Sequence, residues 1–323
     1  MQSTDAELAQ LVERWLPKPK VASSRLVFRS KPFFTRMKDS ELIINGDGSI
    51  FHLHILPEDI ADDIIVMGDP GRVLTAAKLF DSVEVDKSSR EFHTVTGRYH
   101  GKRITAISHG IGTDNIDILM TELDALANMD FATGQPRKEH RTLNIVRIGT
   151  CGSPQNDIPL GSYIFSRVSL GLDPVLRWYK EGEKVLLDDW EKAFLTYMKE
   201  WPAKLNVPYF VQADPELSEK FSSWTIAGIT MSAPGFYGPQ GRAIRLHPSV
   251  DSLTDRLAGF TYGGLRITNI EMESSALSGM AAMLGHRAGT VCLVVANRNL
   301  GEANPDYKPL MAQLLKKVLD TLA

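Results

Sequence analysis

The chain has 323 residues, 43% apolar and 23% charged, a globular balance that excludes a disordered or fibrous protein. The 36 basic and 39 acidic residues leave a net charge of −3, so no global field draws in a polyanion and nucleic acid is disfavoured as a partner. A chain of this length buries roughly three quarters of its unfolded surface, enough for a core without staples.

The first fifty residues differ from the rest. Thr4-Asp5-Ala6-Glu7 is a capping-box pattern, and Leu8, Leu11, Val12, Trp15 and Leu16 follow at helical spacing until Pro17 and Pro19 stop them. A basic, turn-rich stretch then runs to Asp47-Gly48. Residues 1–50 are therefore expected to form an extension, and residues 51–323 the main domain. Asp5, Glu7 and Glu13 stand where an export signal would need an apolar stretch. Residues 221–241, the longest run without charge, are broken by Ser, Gly and two Pro, so no membrane span is expected. Cys151 and Cys292 each sit in an apolar run, which argues against a disulfide framework or a cysteine zinc site and fits a reducing compartment. The expected location is cytoplasmic.

From residue 51 the pattern is strand, turn, helix, repeated. His52 in Phe51-His52-Leu53-His54 reads as a half-exposed strand histidine; His52 and His54 would share a face, but without acidic or cysteine partners at metal spacing they make no zinc site. A strand over residues 62–67 runs into Gly68-Asp69-Pro70-Gly71-Arg72 and a helix carrying Val73, Ala76, Ala77 and Phe80. A strand over 103–107 ends at Gly110-Ile111-Gly112, before a helix with Ile116, Leu119, Leu123 and Leu126 on one face. The polar residues 132–141 read as a surface loop. Strands over 143–148, 224–231 and 289–296 complete an α/β reading with a largely parallel, buried sheet.

Open α/β sheets bind ligands where strands end. At Gly68–Arg72 a proline preorganises the first helical turn, leaving backbone N–H groups and the Arg72 charge as an anion site; a tight turn with a solvated arginine is the alternative. Arg147 interrupts an apolar strand, where a buried guanidinium must meet an anion. That anion is either a protein carboxylate or a bound phosphate; with Arg72 at a comparable strand end and Gly149-Thr150-Cys151-Gly152 offering close backbone approach and a hydroxyl donor, a bound phosphate is the better explanation. No Walker A loop and no GxGxxG follows a strand, which disfavours triphosphate hydrolysis and dinucleotides. Glu271 and Glu273 flank Met272 at a strand-to-helix junction, as acceptors for two sugar hydroxyls or as ordinary first-turn acids. Phe236-Tyr237-Gly238-Pro239-Gln240-Gly241-Arg242 sets an amide and a guanidinium two residues apart beside an aromatic face. That set matches the acceptor–donor–acceptor edge of uracil, against the plainer reading of a surface turn.

In this order, over roughly residues 51–323, the segments resemble the uridine phosphorylase branch of the nucleoside phosphorylase superfamily. The resemblance implies a single-domain three-layer α/β sandwich with a mixed central sheet flanked by helices. It implies phosphate ligands at Gly68, Arg72, Arg147 and Thr150, with Arg90 supplied by a neighbouring subunit. It implies ribose contacts from Glu271, Met272 and Glu273, and from His52 reaching across a dimer to the 5′ hydroxyl. Phe236, Gln240, Arg242 and Arg298 fall at base-binding positions. Asn297 stands where purine-cleaving relatives carry an aspartate. The sequence departs from the common pattern at Asp114-Asn115, near which some relatives hold a monovalent cation, and at Cys151.

The reaction so implied is phosphorolysis of uridine or a related pyrimidine nucleoside. Phosphate is the co-substrate, no cofactor or metal takes part, and Arg147, Gln240 and Arg242 carry the catalysis. The partners are the nucleoside and phosphate, with a homodimer as the minimum unit and a hexamer as the larger alternative. A purine nucleoside phosphorylase, a nucleosidase and a non-enzymatic nucleoside-binding protein are the competing readings.

Overall fold

The computed structural model describes residue 38 and residues 40–323; the helix expected over residues 4–16 lies outside the described residues. Fourteen strands follow in chain order: β1 (Asp63–Met67), β2 (Ser82–Ser89), β3 (Phe92–Tyr99), β4 (Lys102–Ser108), β5 (Met129–Asp130), β6 (Gln135–Pro136), β7 (Asn144–Ser153), β8 (Tyr163–Gly171), β9 (Tyr209–Gln212), β10 (Ile226–Ser232), β11 (Thr261–Tyr262), β12 (Leu265–Glu271), β13 (Arg287–Asn297) and β14 (Glu302–Ala303). Seven α-helices accompany them: α1 (Pro70–Ala77), α2 (Thr113–Asn128), α3 (Asp188–Met198), α4 (Pro215–Phe221), α5 (Leu253–Ala258), α6 (Ser274–Leu284) and α7 (Lys308–Leu322).

The main sheet runs β11-β12-β10-β8-β13-β7-β1-β4-β3-β2. Its centre is parallel, with β1 between β4 and β7 and β13 beside β7; β2, β3 and β9 add antiparallel pairs, so the sheet is mixed. One antiparallel bridge, Ile270 opposite Gly152, joins β12 to β7 and brings the far end of the sheet back to its centre. That closure sets Glu271 beside the end of β7.

The sheet is the middle of three layers. Successive residues of a strand face opposite ways, so Ile64, Val66 and Ile145 pack with α2 and α6, whereas Ile65, Met67, Val146 and Ile148 pack with α1, α4 and α7. All of β1 is buried, which is why, after Asp63, its sequence is a continuous apolar run rather than an alternating one. A third cluster, with Phe194, Phe210 and Phe260 edge to face, fills the space around α3 and α5.

Residues 40–50, on the extension side of the expected boundary, carry an Ile44–Ile50 bridge, and Leu42, Ile44 and Ile50 pack on the core shared with α2. The strand expected at Phe51–His54 is corrected: residues 51–53 form a turn. The His54 N–H donates to the Ile50 carbonyl and the Ile50 N–H to the Ile55 carbonyl, so the chain reverses there, with His54 at φ 55°. The polar segment 132–141 carries the short strand β6, paired with β5, rather than loop alone. Among the described residues no helix is long and apolar enough to cross a membrane.

Candidate active site

Parallel strands β1, β4 and β7 are in register, Met67 opposite Ser108 and Val66 opposite Arg147, so their C-terminal ends reach one edge together. Gly68 follows β1 there, and a Cβ on it would lie 2.8 Å from the Gly110 carbonyl oxygen; only glycine allows this approach. Asp69 caps α1, its Oδ1 accepting from the Gly71 N–H at 2.8 Å, and Pro70 opens the helix as expected. Arg72 projects from this first turn, held by the Tyr307 hydroxyl at 3.3 Å.

These groups line a cavity of about 590 Å³. Gly68, Arg72, Arg147 and Thr150 form one side, Glu271, Met272 and Glu273 a second, and Phe236, Gln240 and Arg242 a third. Ten of the thirteen residues singled out from the sequence thus meet in one place.

The anion that buried Arg147 meets within the chain is a protein carboxylate, the plainer of its two readings. Its Nη1 lies 2.8 Å from Glu271 Oε2, and its Nη2 pairs with Glu273 Oε2. Burial alone would lower the Arg147 pKa, but Glu273 and Glu271 more than offset it and hold the pKa raised. Glu271 is engaged further, accepting from the N–H groups of Glu273 (2.9 Å) and Ser274 (3.0 Å) and from the Ser274 hydroxyl (2.7 Å) at the start of α6. Glu273 accepts from the Gly112 N–H at 2.7 Å. Burial pushes the Glu273 carboxyl up, against the opposing pull of Arg147.

The third side is built by one turn. Gly241, at φ 71°, reverses the chain after Gln240, turning Gln240 and Arg242 toward each other. The Arg242 Nη1 donates to the Gln240 Oε1 and to the Phe236 carbonyl, and its guanidinium lies 3.8 Å over the Phe236 ring. Gln240 is buried, whereas Phe236 is half exposed. Arg298 does not line the cavity; it donates to the Gln240 carbonyl at 3.0 Å and steadies the turn from behind. Burial, and then the Arg298 charge, lower Arg242 to about 10; a guanidinium stays charged at neutral pH even so. Among the described residues Arg72, Arg90, Arg242 and Arg298 have no carboxylate partner.

His52 and Arg90 lie apart from this cavity. Arg90, at φ 55°, sits 5.8 Å over the Phe51 ring, and Phe51 is edge-on to His52 at 4.8 Å, so the two form one corner. His52 faces a smaller hollow with Glu122.

Sequence reasoning missed three neighbours of these residues. Glu122 holds the His52 turn, and its position between Leu119, Leu123 and Leu126 on the apolar stripe of α2 was the available signal. Tyr307 carried none. His109, fully buried beside Gly68, has no partner among the described residues for either ring nitrogen; burial, then Arg147 and Arg72, push its pKa well down. Asn297 is knotted into the chain: its amide donates to the Gln155 and Ile158 carbonyls, and its oxygen accepts from the Asn299 and Leu300 N–H groups.

One group of metal-capable side chains, Asp124, His140 and His286, lies close together elsewhere. His286 Nδ1 accepts from the Leu143 N–H at 3.2 Å, so its proton is on Nε2 and goes to Asp124 Oδ1 at 3.1 Å. His140 Nε2 meets the Leu284 carbonyl at 3.0 Å. These atoms are engaged in hydrogen bonds, which suits a structural knot better than a metal site.

Known proteins are similar to this chain. The uridine phosphorylase of Thermococcus kodakarensis is 29% identical over 84% of this chain and 87% of its own length. That of Escherichia coli is 29% identical over 78% and 88%. A DeoD-type purine nucleoside phosphorylase of Vibrio cholerae is 26% identical over 58% of this chain and 78% of its own. Among solved structures, a Trypanosoma brucei nucleoside phosphorylase described as having uridine phosphorylase activity superposes with a TM-score of 0.79, at 29% identity, over 87% of this chain and 99% of that one. The sequence profile of the phosphorylase superfamily matches residues 62–322, the span that builds the sheet and all three sides of the cavity, and the chain belongs to that superfamily.

Proposed function

We propose that this chain is a uridine phosphorylase, a pentosyltransferase that reversibly converts uridine and phosphate to uracil and α-D-ribose 1-phosphate in pyrimidine salvage. The observation that carries the reading is the pairing of Gln240 and Arg242 in the same cavity as Arg72, Arg147 and Thr150. The names of the relatives at 29% identity agree with it.

Cleavage needs phosphate on one face of the ribose C1′ and a stabilised leaving base on the other, with an oxocarbenium-like transition state between. Arg72, Thr150 and the Gly68 backbone orient phosphate, with Arg90 of the partner subunit closing the fourth side. Arg147 adds its charge from the floor while anchored by Glu271 and Glu273. The phosphate then stabilises the developing cation of the sugar. Gln240 and Arg242 take up charge on the uracil oxygens as the glycosidic bond breaks, an interaction that tightens in the transition state and so raises kcat. Glu273 and Met272 hold the ribose. Glu271, already engaged by α6 and Arg147, supports that wall rather than receiving a hydroxyl. Residues 51–323 are the catalytic domain and residues 1–50 an extension to it, in a reducing cytoplasm that keeps buried Cys151 and Cys292 as thiols.

A purine-cleaving activity is the second reading, since DeoD-type relatives also match. A purine leaving group calls for a side-chain acid, and the amide of Asn297 offers none. A panel of uridine, thymidine, inosine and adenosine, each with and without phosphate, separates the readings. Uracil release from uridine that depends on phosphate is expected. Faster cleavage of inosine overturns the pyrimidine assignment, and release without phosphate makes the protein a nucleosidase.

A further inference from the structure

Glu122 lies in the middle of α2, nine-tenths buried, and its carboxylate receives three N–H groups from one turn. The backbone N–H of His52 meets both oxygens at 3.1 Å, and that of Leu53 meets Oε2 at 2.9 Å. The third contact joins Glu122 Oε1 to His52 Nδ1 at 2.5 Å. Two backbone bonds would be enough to hold a turn. The third fixes the state of a side chain.

An ionised carboxylate only accepts, so the ring proton of a neutral His52 must sit on Nδ1. Nε2 is then a bare acceptor. It has no partner among the described residues, and the side chain is 29% exposed, so this lone pair faces outward. A nucleoside's 5′ hydroxyl is a donor of matching chemistry, and the opposite tautomer would present an N–H to it instead.

We propose that Glu122 is a positioning residue: it holds His52 as the Nδ1–H tautomer, so that Nε2 accepts from the 5′ hydroxyl of the nucleoside bound by a second copy of this chain. The inference rests on the reading of the chain as a uridine phosphorylase and on the contact to the neighbouring pocket that the family resemblance implies for His52. Glu122 itself touches no substrate. It acts through His52, so that in turnover its loss is felt where a 5′ hydroxyl is present.

Two measurements test this. In the full chain labelled with ¹⁵N at its eight histidines, the ring resonances of His52, identified by their loss in His52→Gln, report the tautomer without touching Glu122. A protonated Nδ1 and a bare Nε2 are expected; a proton on Nε2 overturns the proposal, whatever Glu122 variants do. The second compares kcat/KM for uridine and 5′-deoxyuridine. His52→Ala should shrink the preference for uridine by about three- to tenfold, the range for one hydrogen bond. Glu122→Gln should shrink it comparably, and adding Glu122→Gln to His52→Ala should shrink it no further. If His52→Ala erodes the preference and Glu122→Gln does not, the positioning role falls while the reading of His52 stands. If His52→Ala leaves the preference intact, that reading fails and this inference with it.

Discussion

The floor of the cavity and its rim are both lined with arginine, but their charges are balanced differently. On the floor, Arg147 is buried and neutralised by Glu271 and Glu273 within the chain. At the rim, Arg72 and Arg242 have no carboxylate partner among the described residues, and Arg298 behind the turn has none either. A buried ion pair left with one member is strongly destabilising, whereas the half-buried Arg72 and Arg242 have no ion pair among the described residues to lose. On the proposed reading the floor therefore serves the stability of the fold as well as the site, whereas the rim cations serve binding alone.

The sharpest way to break this contrast is to remove one arginine from each. Arg147→Ala strands two buried carboxylates and should lose about 3–5 kcal/mol of stability in urea unfolding. Arg72→Ala should lose about 1 kcal/mol or less, yet lower kcat/KM by roughly a hundredfold through its phosphate dependence. Equal losses of stability would show that the two cations play the same part. Next in size is the base. Gln240→Ala and Arg242→Ala should each reduce uridine turnover by about a hundredfold while phosphate affinity changes little, because a site built to hydrogen-bond a base is left with unpaired groups.

The floor also makes a prediction about pH. Burial raises the Glu273 carboxyl, so as pH falls Glu273 takes up its proton at a higher pH than an exposed glutamate. Protonation removes the negative charge that faces Arg147 and weakens the carboxyl as an acceptor for the ribose. The acidic limb of kcat/KM should therefore lie above the ordinary carboxylate range, and Glu273→Gln should flatten it. A limb unchanged in Glu273→Gln assigns it to another group. The smallest expected effect is at the rim, where Phe236→Leu removes the ring under Arg242. One cation–π contact is worth about 0.5–2 kcal/mol, and a rise in uridine KM within that range is expected; no change would leave Phe236 as a bystander.

Most of the architecture was legible because it rests on local periodicity. The strands around residues 63–67, 102–108 and 144–153, and the stripe of Ile116, Leu119, Leu123 and Leu126, follow from patterns a few residues long. What was not legible depends on long-range pairing. Arg147 announced a buried charge, but that Glu271 and Glu273 would reach it follows from the Ile270–Gly152 bridge, which no local pattern encodes. The turn at residues 51–53 was mistaken for a strand because alternating apolar and histidine residues imitate one. The chain reverses there because the Ile50 carbonyl and N–H pair across the turn with His54 and Ile55, and Glu122 gathers the N–H groups of His52 and Leu53.

The contrast has a spatial side as well. Arg72 lines the cavity of its own chain, while Arg90 and His52 share a corner away from it. On the proposed reading this corner completes the cavity of a second copy. Refolding Arg72→Ala together with Arg90→Ala tests that claim most directly. In a mixed dimer one pocket receives Arg72 from its own chain and Arg90 from its partner, and is whole; the other lacks both. Statistical mixing makes about half the dimers mixed, so roughly a quarter of wild-type activity should return under isologous pairing. A mixture of Arg90→Ala with His52→Ala, both supplied in the same direction, should show no more activity than the mean of its two components. A first mixture that stays inactive while refolded wild type recovers would mean that each chain builds its pocket alone, and would contradict the account.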